Sequence, residues 1–392
     1  MPANDALPEH SAMIITKGLQ EWACLLSSDL PGETTKRLLC WSCQEQKLLS
    51  TSEVRRLVRA HGKLIRQQET QTLKALLDLE QDTEAIPDLR LVPIDKPRRP
   101  AAWPDEIRDA VGQALQQPDA RPPTGVSQAD WDRVLAARRD DPGLSVDQLA
   151  RLGPRVAEGE VCVSVDDILV REPEKGHWLA VHTARVITRQ GYRYFSGCSN
   201  LFASYLGVVL RLLARSGMAV TLLADGQSWI GSFFNEVLGP IWSKQYLLDW
   251  FHLRKKCRLL TSMICRSKAT RAELLKALLR ALFCGEVDQA ILMLDEYRPK
   301  TKNEQVLDQL IGYIRARKDL IVDYRQRRQR RGYIGSGHAE KANDLIVARR
   351  QKRKGMHWRA ESSEALAALK TLLLNREWDD YWTPKVTELL GA

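Results

Sequence analysis

Long apolar runs are missing from the 392-residue sequence, and their absence argues against a membrane-spanning protein. No uninterrupted apolar stretch reaches the roughly 18 residues of a membrane span, since even LFASYLGVVLRLLA is broken by Arg211. The first residues also lack the basic and then apolar layout of a signal peptide, because Asp5, Glu9 and Glu21 lie there. We therefore expect a cytoplasmic protein with no membrane partner.

Clustered cysteines are also missing, because the eight in the chain are scattered. Most lie in apolar surroundings such as VCVSV and ALFCG, which favours reduced, buried thiols over a disulfide framework. Cys40 and Cys43 form one CxxC pair, but only the distant Cys24 and His61 are available to complete a zinc site. That spacing is poor for zinc, so we do not expect a zinc site.

Acidic residues are scarce over residues 251–360, which contain 27 Lys or Arg but only 11 Asp or Glu. This segment carries +16 in a chain whose net charge is +10, so the remainder carries −6. Solvated helix faces usually have mixed sign, whereas this segment is one-sided. The imbalance favours binding to a polyanion, most simply nucleic acid.

Composition and periodicity divide the chain into six parts. They are a helical N-terminal region (1–92), a Pro-rich linker with one short helix near 104–116 (93–126), two short helices (127–156), the first part of an α/β core (157–253), a helical insertion (254–332) and a C-terminal helical part (333–392). The two helices of 127–156 fit either a helix-turn-helix or a link between domains, because no third helix is evident.

The core contains a strand, a hairpin around Gln190-Gly191, a helix, a strand, a helix and a last strand. Three strands able to pair antiparallel, followed by α/β crossovers, predict a mixed five-stranded sheet with helices on its faces. Helices alone are expected over 254–330, including one long helix over 303–331, and a basic helix is expected over 338–355.

Three carboxylates occupy positions that suit chemistry at the edge of this sheet. Asp166 lies on the first strand, and Asp225 ends the fourth, where Gly226 permits a sharp turn. Glu340 lies in the first turn of the basic helix, just after a flexible Gly-Ser-Gly, and is either a capping acid or a metal ligand. Asp166 and Asp167 point to opposite faces of the strand, and periodicity does not decide which faces the crevice.

Oxygen ligands without a nearby Cys or His cluster suit Mg²⁺ or Mn²⁺ rather than zinc. Two such ions, bridged by one carboxylate, can activate an attacking oxygen and stabilise the leaving oxygen of a phosphodiester. The expected cofactor is therefore two Mg²⁺ or Mn²⁺ ions.

Four sequence blocks resemble bacterial insertion-sequence transposases of the DDE class, which have an RNase H-like catalytic domain. They are VSVDD at 163–167, LLADGQSWI at 222–230, LLDWFHLRKK at 247–256 and IGSGHAEKANDLIVARRQKRKGMHW at 334–358. The resemblance covers about 158–375, and Phe251 stands where the family has Tyr. It implies an RNase H-like sheet in which Asp166, Asp225 and Glu340 are the catalytic metal ligands, with Asp166 bridging both ions.

Several further residues accompany these acids in the same blocks. His252 is either a core histidine or a contact to a DNA phosphate or metal-bound water, and Asp249 either caps a helix or supports the acids. Trp358, like Met356, is more typical of a core than of a base-stacking platform. The supporting residues are Asp167, Gly226, Trp229, Asp249, His252, Gly335, Ser336, Gly337 and Trp358.

Basic residues lie within two of the blocks and are candidates for binding DNA phosphates, although some belong to a solvated face. They are Arg254, Lys255, Lys256, Arg349, Arg350, Lys352, Arg353 and Lys354.

The resemblance implies a DNA transposase that cuts and rejoins double-stranded DNA at the ends of its own insertion sequence, as a homo-oligomer bound to element ends and target. Such a protein is expected in the bacterial cytoplasm and with the nucleoid when bound to DNA. Two alternatives remain: a catalytically inactive or domesticated DNA-binding descendant, and an RNase H-like nuclease.

Overall fold

The computed structural model describes residues 15–81, 89–94, 104–117, 121–126, 128–150, 156, 159–174 and 176–383. Its centre is one mixed sheet with the strand order β1-β4-β3-β2-β5-β6. The strands are β1 (Val92–Pro93), β2 (Glu160–Arg171), β3 (Trp178–Ile187), β4 (Gly191–Gly197), β5 (Ala219–Ala224) and β6 (Lys244–Leu248).

The predicted α/β class, with three antiparallel strands followed by parallel ones, is confirmed. β2 pairs antiparallel with β3, β3 with β4, and β2 and β5 then pair in parallel, as do β5 and β6. The predicted number of strands was wrong, because the sheet has six. The additional strand, β1, pairs Val92 with Tyr192. It is only two residues long, too short for periodicity to reveal, and Pro93 suits an edge position because it has no N–H to donate.

Alternation along β2 creates two faces with different roles. The odd-numbered Val161, Val163 and Val165 are buried against helix α7 (Asn200–Arg215), which crosses from β4 to β5. Helix α8 (Ser228–Ser232) and a π-helical segment at 233–237 form the second crossover, from β5 to β6. Both crossovers return the chain so that β2, β5 and β6 run in parallel and end at the same edge of the sheet.

The opposite face of the sheet is covered by the C-terminal helices. They are α14 (Gly337–Asn343), a π-helical segment at 344–348, α15 (Arg349–Gln351), α16 (Ala360–Leu374) and α17 (Trp378–Trp382). The basic helix predicted to reach residue 355 ends at Gln351, and Gly355 turns the chain with φ +79°. Lys352, Arg353 and Lys354 therefore lie in a turn rather than on a helix.

Five helices follow β6 and enclose a separate apolar core around Trp250 and Tyr324. They are α9 (Trp250–Ile264), α10 (Lys268–Phe283), α11 (Val287–Glu296), α12 (Glu304–Arg315) and α13 (Tyr324–Gln329). Helix α9 continues across residues 253 and 254, between the core and the insertion. The single helix predicted over 303–331 was wrong. The chain leaves α12 after Arg315, and Asp323 starts α13 anew by accepting a hydrogen bond from Gln326 N.

The described part before the sheet is almost entirely helical. Its helices are α1 (Lys17–Ser27), α2 (Gly32–Ser42), α3 (Thr51–Gln81), α4 (Asp105–Ala114), α5 (Gln128–Asp140) and α6 (Val146–Ala150). Helix α3 begins with a reciprocal capping pair between Ser50 and Glu53. Residues 151–155, where a third helix of a helix-turn-helix would follow, lie outside the described residues.

Helix α3 packs on α16 so closely that a Cβ at Gly62 would lie 2.3 Å from Ala365 Cβ. This contact joins the N-terminal helices to the layer that covers the sheet. No helix within the described ranges is both long and apolar enough to cross a membrane.

Candidate active site

Two neighbouring strands bring acids to one edge of the sheet. Asp166 and Asp167 lie on β2, opposite Thr183 and His182 of β3. Asp225 follows the last residue of β5, the strand parallel to β2. Both strands run toward the same edge, so their acids meet at the carboxyl edge of the parallel part of the sheet.

Asp166 faces helix α14. Its Oδ1 accepts a hydrogen bond from Asp167 N at 2.8 Å, and its Oδ2 accepts one from Asn343 Nδ2 at 2.9 Å. Asn343 Oδ1 in turn accepts from Thr183 Oγ1 at 2.8 Å. Asp166 is thus directed to the helix that contains Glu340.

Asp167 points to the other face, where Gln227 links it to Asp225. Gln227 Nε2 donates to Asp167 Oδ1 at 2.8 Å and to Asp225 Oδ2 at 3.1 Å. Trp229 Nε1 donates to Gln227 Oε1 at 3.1 Å, and the Trp229 ring packs on His182 with 4.6 Å between ring centroids. Trp229 therefore orients the amide that joins two carboxylates.

Negative charge at this edge is poorly compensated. Burial raises the pKa of Asp166 to about 6, and the charges of Asp225 and Asp167 add to the shift while His252 opposes it. Among the residues that the structure describes, no lysine or arginine forms an ion pair with these three aspartates. A part-buried group of acids with so little compensation favours the uptake of a proton or a metal cation.

Asp249, which follows β6, ties α9 to the start of α14. Its Oδ1 accepts from His252 N at 3.1 Å and from Phe251 N, and its Oδ2 accepts from Ser336 N at 2.7 Å and from Ser336 Oγ. Burial disfavours the charged carboxylate, but hydrogen bonds from His252 and Ser336 outweigh it and hold the pKa of Asp249 below its ordinary value. We call the contact between Asp249 and Ser336 the latch.

The latch corrects the prediction of a flexible Gly-Ser-Gly before α14, because Ser336 is buried. Gly335 is equally confined, since a Cβ there would lie 2.4 Å from Phe251 Cδ2. Gly337, the first residue of α14, has open space around it.

Glu340 lies in the first turn of α14, and its side chain is exposed. Its Oε1 lies 3.9 Å from His252 Nε2, while His252 Nδ1 lies 3.2 Å from Asp249 Oδ2. The interaction with Asp249 raises the pKa of His252, and the charges of Asp225 and Glu340 act in the same direction. Since His252 also lowers the pKa of Asp166, one imidazole stands among all three predicted catalytic acids.

The donor set suits a hard divalent cation, because every member of the acid group offers carboxylate oxygen. The described part of the chain contains no group of three or more His, Cys, Asp or Glu side chains arranged to hold a metal ion. Asp166 and Asp225 are fixed by amides, whereas the Glu340 carboxylate meets only His252 among described residues. Cys40 and Cys43 are free thiols.

The predicted DNA-contacting residues fall into two groups. Arg254, Lys255, Lys256, Lys352, Arg353 and Lys354 are exposed. Arg349 is also exposed but pairs with Asp344 at 3.0 Å. Arg350 is buried instead, where its Nε donates to Ser27 O at 3.1 Å and its guanidinium lies 4.7 Å from the Trp358 ring centroid. Arg350 is therefore a packing residue, and Trp358 belongs to the interior as expected.

Sequence reasoning missed the residues that hold the acids. Asn343 could have been found, since it lies three residues after Glu340 on one helical face, and Gln227 lies two residues after Asp225. No sequence signal indicated Thr183, because its contact with Asn343 depends on the register that places it opposite Asp166. None indicated Arg317 either, since its contact with Gly226 O spans 91 residues of sequence.

Comparison with known families and proteins gives no assignment: no family model matches this chain, and no curated protein matches it.

Proposed function

We propose that this chain is a DNA transposase of the DDE class, which cleaves DNA at the ends of an insertion sequence and transfers the cut strand. The observation that carries the proposal is the position of His252. Its imidazole lies 3.9 Å from the Glu340 carboxylate, its charge lowers the pKa of Asp166, and the charge of Asp225 raises the pKa of His252 itself, although these acids are up to 174 residues apart in the sequence. Acids so distant in the chain have no shared local role, so their convergence favours a common chemical task.

The sheet supports an RNase H-like core as the finer description of the fold. Counted along the chain, the five long strands lie in the order third, second, first, fourth, fifth, with the first three antiparallel and the last two parallel. This is the arrangement that the transposase resemblance implies. The acids lie on the first strand, after the fourth strand and on the helix that covers the sheet.

The acids would hold the metal ions, and the surrounding polar residues would position the acids. Asp166 would hold both Mg²⁺ or Mn²⁺ ions, and Asp225 and Glu340 would each hold one. The ions, when bound, would supply the Lewis acidity that activates the attacking oxygen and stabilises the leaving 3′-oxygen. Gln227 and Asn343 keep the aspartates in place, and Asp249 sets the position of both His252 and the start of α14.

The exposed cations would hold the DNA backbone near these acids. Arg254, Lys255 and Lys256 lie on the first turns of α9, which begins directly after Asp249. Contacts of this kind are not sequence-specific, so the affinity should fall steeply as salt concentration rises. Pairing of two element ends would require a homo-oligomer, a proposal that rests on analogy alone.

The test is a cleavage assay on linear DNA that contains the coding region with its natural flanks. The protein should cut this DNA with Mg²⁺ or Mn²⁺ and join the cut strand to a second DNA, and EDTA should stop both steps. Asp225→Asn should abolish cleavage but retain binding, while Glu273→Gln on the exposed face of α10 should behave as wild type.

Each other outcome selects a different function. Binding without cleavage by the wild-type protein would identify an inactive or domesticated descendant. Cleavage without strand transfer would identify a nuclease. Full cleavage by Asp225→Asn would remove the acid assignment.

A further inference from the structure

Arg317, just after α12, reaches the loop that follows β5. Its Nη2 donates a hydrogen bond to Gly226 O at 3.2 Å. A Cβ at Gly226 would lie only 2.7 Å from Arg317 Nε, so the guanidinium lies directly against this residue. Gly226 follows Asp225, and Arg317 is therefore a cation of the helical insertion that stands beside a proposed catalytic acid.

The Tyr313 ring lies beside this guanidinium. The Arg317 guanidinium carbon lies 4.3 Å from the Tyr313 ring centroid, and Lys256 Nζ lies 5.7 Å from it. Burial raises the pKa of Tyr313 to about 12; Arg317 opposes this shift, whereas Asp225 and Asp249 add to it. The ring thus lies within electrostatic reach of the acid site and carries two cations at its border.

Among the described residues, Arg317 has no carboxylate partner of the kind that Arg193 and Arg211 have. Arg193 pairs with Glu377, and Arg211 pairs with Glu80. Within the described ranges, no carboxylate forms an ion pair with Arg317, and its buried Nε has no hydrogen-bond acceptor. A guanidinium has five N–H donors, and within the described part of the chain only one of these donates a hydrogen bond, to Gly226 O.

An unpaired cation at a partly buried position is costly unless an anion completes it. The planar fork of a guanidinium matches the oxygens of a phosphate, and its weak hydration suits it to a desolvated site. Since Asp225 itself would stand beside the scissile phosphate, a DNA phosphate is the anion that would arrive at this place.

We propose that Arg317 binds a non-bridging oxygen of the DNA phosphate that lies next to Asp225 when DNA is bound. This inference rests on the proposed transposase function and adds a residue to it. Lys256, on the outer side of Tyr313, would meet the neighbouring phosphate of the same strand. The helical insertion then contributes directly to the active site, in addition to binding DNA elsewhere.

The first experiment compares Arg317→Gln with Arg315→Gln, which removes the same charge from the exposed end of α12. Cleavage is measured at saturating DNA, and thermal unfolding is followed in parallel to check the fold. Arg317→Gln should slow cleavage by on the order of 100-fold, as loss of a fixed donor to a reacting group does. Arg315→Gln should cleave at the wild-type rate. Arg317→Lys should be intermediate, because it keeps the charge without the fork.

The second experiment separates a phosphate contact from mere support of the Gly226 loop. After the cut has been mapped, single phosphates around it are replaced by uncharged methylphosphonates. One replacement should slow the wild-type protein strongly but leave Arg317→Gln little further impaired. Equal losses in both proteins at every position, or a wild-type rate for Arg317→Gln, would overturn the inference.

Failure of the proposed function would look different, because the wild-type protein itself would then cleave no DNA. Single phosphates along the bound DNA would in that case be replaced one at a time, and the wild-type protein and Arg317→Gln would be compared by binding affinity. A loss that is specific to the wild-type protein would support the phosphate contact, and equal losses would refute it.

Discussion

At the edge of the sheet, Asp166 and Asp225 are held by the side-chain amides of Asn343 and Gln227. Glu340 at the start of α14 is exposed and, among the residues that the structure describes, meets only an imidazole at 3.9 Å. The positions of the sheet acids follow from strand register. The position of Glu340 follows from where α14 begins, and the latch fixes that point.

This difference teaches that the two halves of the site are secured by different means. Many backbone hydrogen bonds between β2, β3 and β5 support the sheet half. The helix half depends on one carboxylate, Asp249, that receives hydrogen bonds from both α9 and the residue before α14. The sheet half should therefore tolerate single changes that the helix half does not.

Asp249→Ala should have the largest effect, because it removes the α9 cap and leaves the buried Ser336 N–H without its partner. We expect the free energy of unfolding to fall by about 3 kcal/mol and cleavage to fall by at least about 100-fold. Denaturant unfolding and the cleavage assay measure the two losses.

Ser267→Ala is the matched control for this variant, since Ser267 caps α10 through Thr270 N, far from the acids in the fold of the insertion. It should cost about 1 kcal/mol with no change in cleavage. If Asp249→Ala does not fold, Ser336→Ala tests the latch alone. Wild-type cleavage by Ser336→Ala would show that Glu340 does not depend on the latch.

Loss of the amides at the sheet should have a smaller effect. Gln227→Ala frees the Asp167 and Asp225 carboxylates, and Asn343→Ala frees Asp166. Partners of this kind orient ligands, and their loss typically costs 10–100-fold in metal affinity or activity. We expect a loss of about 10-fold for each variant, measured as the Mn²⁺ concentration that gives half-maximal cleavage.

Thr183→Val tests the contact that supports Asn343, because Thr183 Oγ1 donates a hydrogen bond to Asn343 Oδ1. Its effect should be smaller than that of Asn343→Ala and in the same direction. An unchanged Mn²⁺ requirement in Gln227→Ala and Asn343→Ala would mean that the amides do not set the geometry of the aspartates.

The third prediction uses the pH dependence of stability to compare the two halves. Burial raises the pKa of Asp166 to about 6, so the folded chain binds this proton more tightly than the unfolded chain, whose pKa is about 3.9. The resulting stability is fully present below about pH 4 and is lost as the pH rises through about 6. Asp167, Asp225 and His252 are the charged groups that face Asp166.

Asp166→Asn should therefore raise the free energy of unfolding at pH 8 by on the order of 1 kcal/mol and change it little below about pH 4. Mg²⁺ should stabilise the wild-type protein more than this variant. Glu340→Gln is the control, because its carboxylate is exposed and should show no such gain. An equal gain in both variants would contradict the different burial of the two halves.

The sheet half was largely predictable from sequence, and the helix half was not. Alternation in GEVCVSVDDILV and the hairpin at Gln190-Gly191 gave the strands, and the Asp-Gly pair marked the end of β5. These signals are local. The latch joins Asp249 to Ser336 across 87 residues, and no local pattern indicates that a serine between two glycines is buried.

The lack of a local signal also explains why Arg350 was wrongly predicted to bind DNA. Charge alone grouped Arg350 with its neighbours, but only the fold shows that its guanidinium faces Ser27 and Trp358. Similarly, the sequence predicted one helix over 303–331, and the break came from tertiary packing. Tyr324 is fully buried there, and its hydroxyl donates to Leu248 O at 2.7 Å.

The smallest effect is expected on the outer side of α14, one residue from Asn343. Asp344 pairs with Lys341 at 3.1 Å and with Arg349 at 3.0 Å, and all three side chains are exposed. Exposed ion pairs contribute little, so Asp344→Ala should lower the free energy of unfolding by less than about 1 kcal/mol and leave the Mn²⁺ requirement unchanged.

Comparing Asp344→Ala with Asn343→Ala tests which helix face points to Asp166. The two residues are adjacent, but one side chain reaches Asp166 and the other lies in solvent, so the helix face alone should decide the outcome. A loss of cleavage in Asp344→Ala as large as that in Asn343→Ala would mean that α14 is rotated from the position described. The carboxylate of Glu340, one turn earlier on the same helix, would then face away from His252 and the aspartates.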